Sequence, residues 1–312
     1  MKKRNNKIIV LIVVAVLFAV SLLIFILNYS KDNSSFSILE KKWINDNTSN
    51  VLDISVYNDV PVYGKSGKGV IFDLLDDFTT TYGINFNKIS YSVDSSSNLN
   101  KNAFRVLNNN ESLTNKDILL YEDNYVLVST EEEVINNIND IDNHTVAVLK
   151  TDLNTVSNDL SEVKKISYLQ KENVNELEEA LKNKETNYVI VPYNMYMDFI
   201  LKNDLHILYH LSDISKKYVL TIENKTFLDI MKKYYLGYQK NKQQTSYKTN
   251  FLSEFFYDKE ITEADRMSYN SSSYNVGYIT YMPFTGKEEK DLVGTLSNYL
   301  SGFEDLFDVD LK

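Results

Sequence analysis

Two stretches far apart in the chain follow one pattern. Leu52 to Tyr57 alternates apolar and polar residues; Pro61 and Tyr63 follow, and then Gly69, Val70, Ile71, Phe72, Asp73 and Leu74. Val276 to Tyr281 is again a short apolar run, followed by Pro283 and Phe284 and then by Gly294, Thr295, Leu296, Ser297 and Asn298. Each copy reads as a strand, a proline with an aromatic neighbour, and a glycine that opens a helix. Glycine and the acid or amide stand four apart in both, and the prolines are 222 residues apart. That interval is the size of one large domain. It points to tandem domains rather than a solenoid, whose period would be about 20–50 residues. One complete unit is therefore expected between the copies, with a second beginning near residue 275.

The N-terminus sets the expected location. Lys2, Lys3, Arg4 and Lys7 precede an apolar run from Ile8 to Leu27 that only Ser21 interrupts. Twenty such residues are long enough to cross a bilayer as a helix. Cations ahead of the run keep the N-terminus cytoplasmic, so the bulk of the chain is expected outside the cell membrane, held by a single span. No small-residue cleavage site follows the run, which favours an uncleaved anchor. The chain has no cysteine, which rules out disulfides, thiolate metal sites and attachment through a lipidated cysteine. A net charge of −10 disfavours a nucleic-acid partner.

Residues 30–50 read as a polar tether. Beyond it, Leu52, Ile54 and Val56 alternate as in a strand, and Val70 to Tyr82 follows helical spacing with Gly83 at the C-cap. Ile89, Tyr91 and Val93 alternate again, and Asp94 to Asn102 is a loop. Ile118 to Tyr121 and Tyr125 to Val128 read as two short strands split by Glu122, Asp123 and Asn124. A second α/β series follows: a strand over 145–149, a helix over 151–160, a helix face at Val174, Leu177 and Leu181, and a strand over 188–191 that Pro192 ends. A helix over 193–201, a strand over 218–222, an Asn224-capped helix over 227–238 and a helix near 246–257 complete the series. The expected fold class is α/β, with two lobes facing a cleft after an N-terminal transmembrane helix. The expected segments are a basic tip and anchor (1–29), a tether (30–50), a bilobed domain (51–262), a linker (263–274) and the start of a second, truncated domain (275–312). Within the bilobed domain, lobe one takes about 51–140 plus a C-terminal return, and lobe two about 141–240.

In order and spacing these motifs resemble the extracytoplasmic solute-binding proteins of family 3, the type II periplasmic-binding-protein-like group. The resemblance rests on Pro61 and Val62, on Gly69 to Leu74, on Thr114 to Asp117, on Tyr125, and on Val146 to Thr151. It spans roughly residues 50–257 and restarts near 275. It implies a cleft that closes on a small solute, in tandem sensor domains of bacterial receptors or in binding proteins of ABC importers. Two departures bear on the ligand. Asp117 stands where amino-acid binders carry the arginine that holds the ligand carboxylate, and Pro192 and Tyr193 stand where the ammonium-binding aspartate would fall. A simple amino acid is therefore not the expected ligand. Asp59, Tyr63, Tyr125, Thr151, Tyr193 and Asn194 are the candidate ligand contacts, and no cofactor is expected.

Other motifs carry less. Gly64 to Gly69 lacks phosphate-loop spacing. His206 and His210 stand four apart but lie in a strand-like stretch with no third ligand. No nucleophile elbow or zinc-protease signature is present, so an enzyme is not expected. The leading expectation is a membrane-anchored ligand-sensing module of a longer signalling receptor with an output domain. The alternatives are the tethered substrate-binding protein of an ABC importer, working with its permease, and a surface interaction protein whose bilobed fold has lost its ligand.

Overall fold

The computed structural model describes residues 36–93, 99–108, 111–288 and 291–312. The apolar run Ile8–Leu27 and most of the 94–102 loop lie outside them. Among the described residues, no helix is long and apolar enough to cross a membrane.

The chain opens with a helix, α1 (Ile38–Asn47), closed at its start by a capping box between Ser37 and Glu40. The expected tether is thus helical over half its length. Trp43 stacks on Phe227 at 5.1 Å, so it packs onto the domain. Then come β1 (Val51–Tyr57), the short pair β2 (Asp59–Val60) and β3 (Gly64–Lys65), α2 (Val70–Tyr82), β4 (Asn85–Tyr91) and β5 (Asn102–Leu107). β6 (Asp117–Ser129) leads to β7 (Thr145–Leu149), α3 (Leu153–Asp159), β8 (Ser167–Lys171), α4 (Val174–Lys182), β9 (Tyr188–Pro192) and α5 (Met197–Lys202). β10 (His206–Ile222) returns, followed by α6 (Lys225–Asn241) and α7 (Gln243–Asp258).

These strands form one eight-stranded curled sheet in the order β4-β1-β5-β10-β6-β9-β7-β8. β1 pairs in parallel with β4 and β5, and β7 in parallel with β8 and β9, so each half carries helical crossovers on parallel strands. The halves are joined by the two longest strands, β6 and β10, which run antiparallel through both. Their register breaks between Leu211 and Ser215, opposite Tyr125 and Asn124, and this marks the hinge. Two sequence expectations change here. Glu122, Asp123 and Asn124 lie within a continuous strand, and β10 starts twelve residues before the expected Tyr218.

The first lobe's core gathers Ile54, Val56, Ile71, Leu75 and Phe78 with Phe227, Ile230 and Met231 of α6. Helix α6 therefore belongs to lobe one, not to lobe two as its place in the chain suggests. Lobe two buries Val126, Val128, Val189 and Leu177 on one sheet face and Leu127, Val146, Ile190 and Val156 on the other. Full burial of each large aliphatic or aromatic side chain contributes about 1.5–3 kcal/mol. Helix α7 packs against α2, α6 and α5, and so touches both lobes.

The expected linker 263–274 contains a further helix, α8 (Glu263–Asn270), capped by Thr262 and Asp265. After it, β11 (Ser273–Tyr274), β12 (Gly286–Glu288), β13 (Asp291–Val293), α9 (Thr295–Phe307) and β14 (Asp310–Leu311) form a small unit. This unit has the geometry of the β1–α2–β4 opening. β14 pairs in parallel with β11, as β4 does with β1. α9 and α2 each have 13 residues and each ends on a left-handed residue, Asp308 and Gly83. Gly69 and Gly294 start the two helices at φ 120° and 101°, angles that L side chains rarely adopt. Leu296 N–H donates to Phe284 O at 3.0 Å, just as Ile71 N–H donates to Tyr63 O at 3.0 Å.

A Cβ on Gly69 would lie 2.5 Å from Tyr63 O, whereas one on Gly67 would meet open space. Gly69→Ala is expected to cost about 3 kcal/mol or more, and Gly67→Ala about 1 kcal/mol. Urea unfolding of the two variants checks the difference.

Candidate functional site

The hinge strands place four polar side chains on one face. Tyr121 of β6 is in register with Tyr218 of β10, and Asp123 with Lys216, so alternation brings all four together. Asp123 is fully buried. Its Oδ1 accepts from Asn194 N–H at 2.9 Å and from Asn194 Nδ2 at 3.1 Å. Its Oδ2 accepts from Met195 N–H and from the Tyr218 hydroxyl, both at 2.9 Å. The backbone donors sit in the turn between β9 and α5, so one carboxylate of the hinge holds the start of a lobe-two helix. Burial pushes the Asp123 carboxyl above its ordinary range, against the lowering effect of these four donors.

Asn194 extends the network. Its Nδ2 also donates to the Tyr121 hydroxyl at 2.9 Å, and its Oδ1 accepts from the Tyr247 hydroxyl of α7 at 2.9 Å. Tyr63 lies among these rings, stacked on Tyr121 at 4.8 Å and on Tyr218 at 5.0 Å, with Tyr247 at 6.0 Å. Each such pair adds about 0.5–1.5 kcal/mol beyond the area buried. Burial drives the hydroxyls of Tyr63, Tyr218 and Tyr247 well above the usual phenol range, so all three stay neutral, and Tyr218 and Tyr247 donate as neutral phenols.

A second buried contact lies beside it. Lys216 Nζ is 2.8 Å from Asp152 Oδ1, with both side chains almost wholly inaccessible. Asp152 follows β7 in lobe two, so this ion pair also ties the hinge to that lobe. Among the described residues, neither Asp152 oxygen nor the buried Tyr57 hydroxyl has a hydrogen-bond partner.

The six candidate contacts divide. Tyr63 and Asn194 come together in the buried network. Tyr193 is half-buried against lobe two's core, its N–H donating to Asn124 O at 3.0 Å. Asp59 and Thr151 are exposed. The Asp59 carboxylate accepts from Ser92 Oγ at 2.5 Å and from Val93 N–H at 3.1 Å, which fastens the end of β4. Tyr125 lies beyond the hinge, fully buried in lobe two's core with Leu127 and Leu211. Asp117, in the arginine's expected place, turns inward. It accepts from Thr114 N–H and Oγ1 and from Thr221 Oγ1. Burial alone would raise its carboxyl, but these donors and Arg105 hold it below the ordinary value. Asp123, Lys216, Asp152, Tyr121, Tyr218 and Tyr247 escaped the sequence reading. Tyr121 and Asp123 two apart on a strand were the available signal.

No family model matches the chain, and no curated protein does. Solved structures do. The VFT2 domain of Bordetella pertussis BvgS, as a double mutant, is similar with a TM-score of 0.51 at 14% identity, over 68% of this chain and 97% of that one. The whole periplasmic domain of B. pertussis BvgS is similar with a TM-score of 0.52 at 12% identity, over 89% of this chain and 58% of that one. AbpA of Streptococcus pneumoniae, an amino-acid ABC transporter substrate-binding protein bound to L-arginine, has a TM-score of 0.46 at 16% identity. At these identities the likeness concerns the fold, which is type II periplasmic-binding-protein-like.

Asp123→Ala would leave Asn194, Met195 and Tyr218 donors buried without acceptors. A loss of about 3–5 kcal/mol in unfolding free energy is expected, read from urea titration of the full chain against wild type.

Proposed function

We propose that this chain is the extracytoplasmic sensory part of a bacterial signalling receptor, held at the membrane by Ile8–Leu27. In it, a bilobed domain is followed directly by the opening unit of a second. The observation that carries this reading is the second β-α-β unit, with its parallel β11–β14 pair, 13-residue helix and Gly294 start. The greater share of this chain matched by the whole BvgS periplasmic domain, 89% against 68% for its VFT2 domain, supports the same reading. Signalling would run through the hinge: a solute that binds one arrangement of the lobes better than another shifts their equilibrium.

The solute is not a plain amino acid. Asp117 is engaged within lobe one, and Tyr193 offers no carboxylate to an ammonium group. One observation favours a second reading, in which the bilobed fold no longer takes a solute and works through contacts between protein units. Tyr218, Asp123 and Asn194 are fully buried and joined by hydrogen bonds through Asp123, and Tyr63, at 2% exposed, stacks on Tyr218.

A thermal-shift screen of the full chain in detergent against small metabolites separates these readings. All common amino acids are expected to give no shift. A non-zwitterionic solute at one hundred times its dissociation constant would add about 2.7 kcal/mol and support sensing. A flat response across the library would favour the interaction reading, and a shift with a plain amino acid would overturn the argument from Asp117 and Tyr193.

A further inference from the structure

Away from the tyrosine cluster, three elements meet at a second charged junction. Lys65 lies on β3, in the segment that joins β1 to α2 in lobe one. Asp198 is in the first turn of α5, whose Phe199 and Ile200 are buried in lobe two's core. Glu254 and Asp258 stand one turn apart on α7, the helix that touches both lobes. Lys65 Nζ donates to Asp198 Oδ2 and to Glu254 Oε2, each at 2.6 Å. One carboxylate oxygen from each of Asp198, Glu254 and Asp258 lies within 4.8 Å of the other two.

The junction is incomplete as drawn. The Asp258 side chain is 0% exposed, yet among the described residues neither of its oxygens has a hydrogen-bond partner, and nor does the buried Oδ1 of Asp198. Lys202 Nζ stands 3.7 Å from Asp258 Oδ1, beyond hydrogen-bonding distance, on a side chain that is 55% exposed. The described residues bring to the junction Lys65 from β3, Asp198 and Lys202 from α5, and Glu254 and Asp258 from α7. The Tyr257 ring lies 5.7 Å from Lys65 Nζ. Lys259, the next cation on that side, is taken up by Leu201 O and Asp204. Three carboxylates face two ammonium groups, so one positive charge is missing. A divalent ion is poorly suited to supply it, because Lys65 already occupies the position between two of the three carboxylates. A proton on Asp258 fits, since it turns one orphaned oxygen into a donor beside the Asp198 carboxylate and cancels the excess charge.

We propose that Lys65, Asp198, Glu254 and Asp258 form a proton-binding latch that fastens lobe one, lobe two and α7 together when the surroundings acidify. Burial, then the neighbouring Asp198 carboxylate, lift the Asp258 carboxyl from 3.8 to about 6, against Lys65 and Lys202. Burial pulls the Lys65 ammonium down, but its bonds to Asp198 and Glu254 raise it overall, so Lys65 stays charged. A carboxyl raised in the folded state binds its proton more tightly there than in the unfolded chain. Its stabilisation is therefore complete below about pH 4 and fades as pH rises through about 6. Acidification from pH 7.5 to 5 tightens the latch. The proton acts on the lobe closure that a solute would use, without depending on which solute that is.

The test is thermal unfolding of the full chain in detergent between pH 7.5 and 5, with chelator and without solute, for wild type, Asp258→Asn and Lys65→Met. Asp123 and Asp159 also have raised carboxyls, so the quantity read is the difference from the variant. Wild type is expected to gain a few degrees on Asp258→Asn's deficit-free baseline as pH falls, because the amide carries no charge at either pH. Lys65→Met removes a cation that opposes proton uptake and is expected to move the midpoint to higher pH. Should Asp258→Asn fail to fold, the Lys65→Met midpoint decides. An Asp258→Asn profile parallel to wild type or an unmoved Lys65→Met midpoint would each overturn the latch. The titration uses no solute, so its failure leaves the sensory reading standing, and the reverse holds too.

Discussion

Asp123 sits where the two longest strands pass from one lobe to the other, and its carboxylate is the fixed point of that passage. Two of its four donors are backbone amides at the start of α5, and a third is the Tyr218 hydroxyl on the opposite hinge strand. A carboxylate buried to this degree persists only where its hydrogen bonds are complete. The positions of α5, of Asn194 and of the tyrosines around Tyr63 are therefore set together. Through Asn194 the same network reaches Tyr247, and α7 is drawn across both lobes.

Helix α7 extends this coupling along its length. Ser246 and Asn250 donate to Asp73 in the first turn of α2, where a negative charge also favours the helix dipole. Farther along, Glu254 meets Lys65, and Lys259 reaches the end of α5. One helix thus contacts both lobes before the chain enters α8 and the second β-α-β unit. A change in lobe closure has a direct mechanical route to that unit, because Phe255 and Phe256 of α7 contact Phe307 of α9.

Much of the architecture was legible because it is local. The alternation of Leu52, Ile54 and Val56, the spacing of Val70 to Tyr82 and the Gly83 cap each follow from backbone sterics and periodicity. The bilobed α/β class followed from their order. What escaped depends on distant partners. Glu122, Asp123 and Asn124 look like a turn, and only Asn194, 71 residues away, makes Asp123 a buried strand residue. Ser212 to Lys217 is too polar to suggest a long strand, yet it runs along the hinge. Tyr125 was the right residue type, but the hinge falls just before it and hands it to lobe two's core. Asp59 was read as a ligand contact and Asp117 as a departure from an amino-acid site, and each satisfies its own lobe instead.

The central claim is that the Asp123 carboxylate, Asn194 and the Tyr247 hydroxyl act as one unit joining the hinge to α7. A double-mutant cycle of Asp123→Asn and Tyr247→Phe, read by urea unfolding of the full chain, tests it most directly. The two groups share Asn194 as a hydrogen-bond partner, so a coupling energy of about 0.5–3 kcal/mol is predicted. Additive losses within about 0.3 kcal/mol would mean that Asn194 does not transmit between hinge and helix, and would contradict the account.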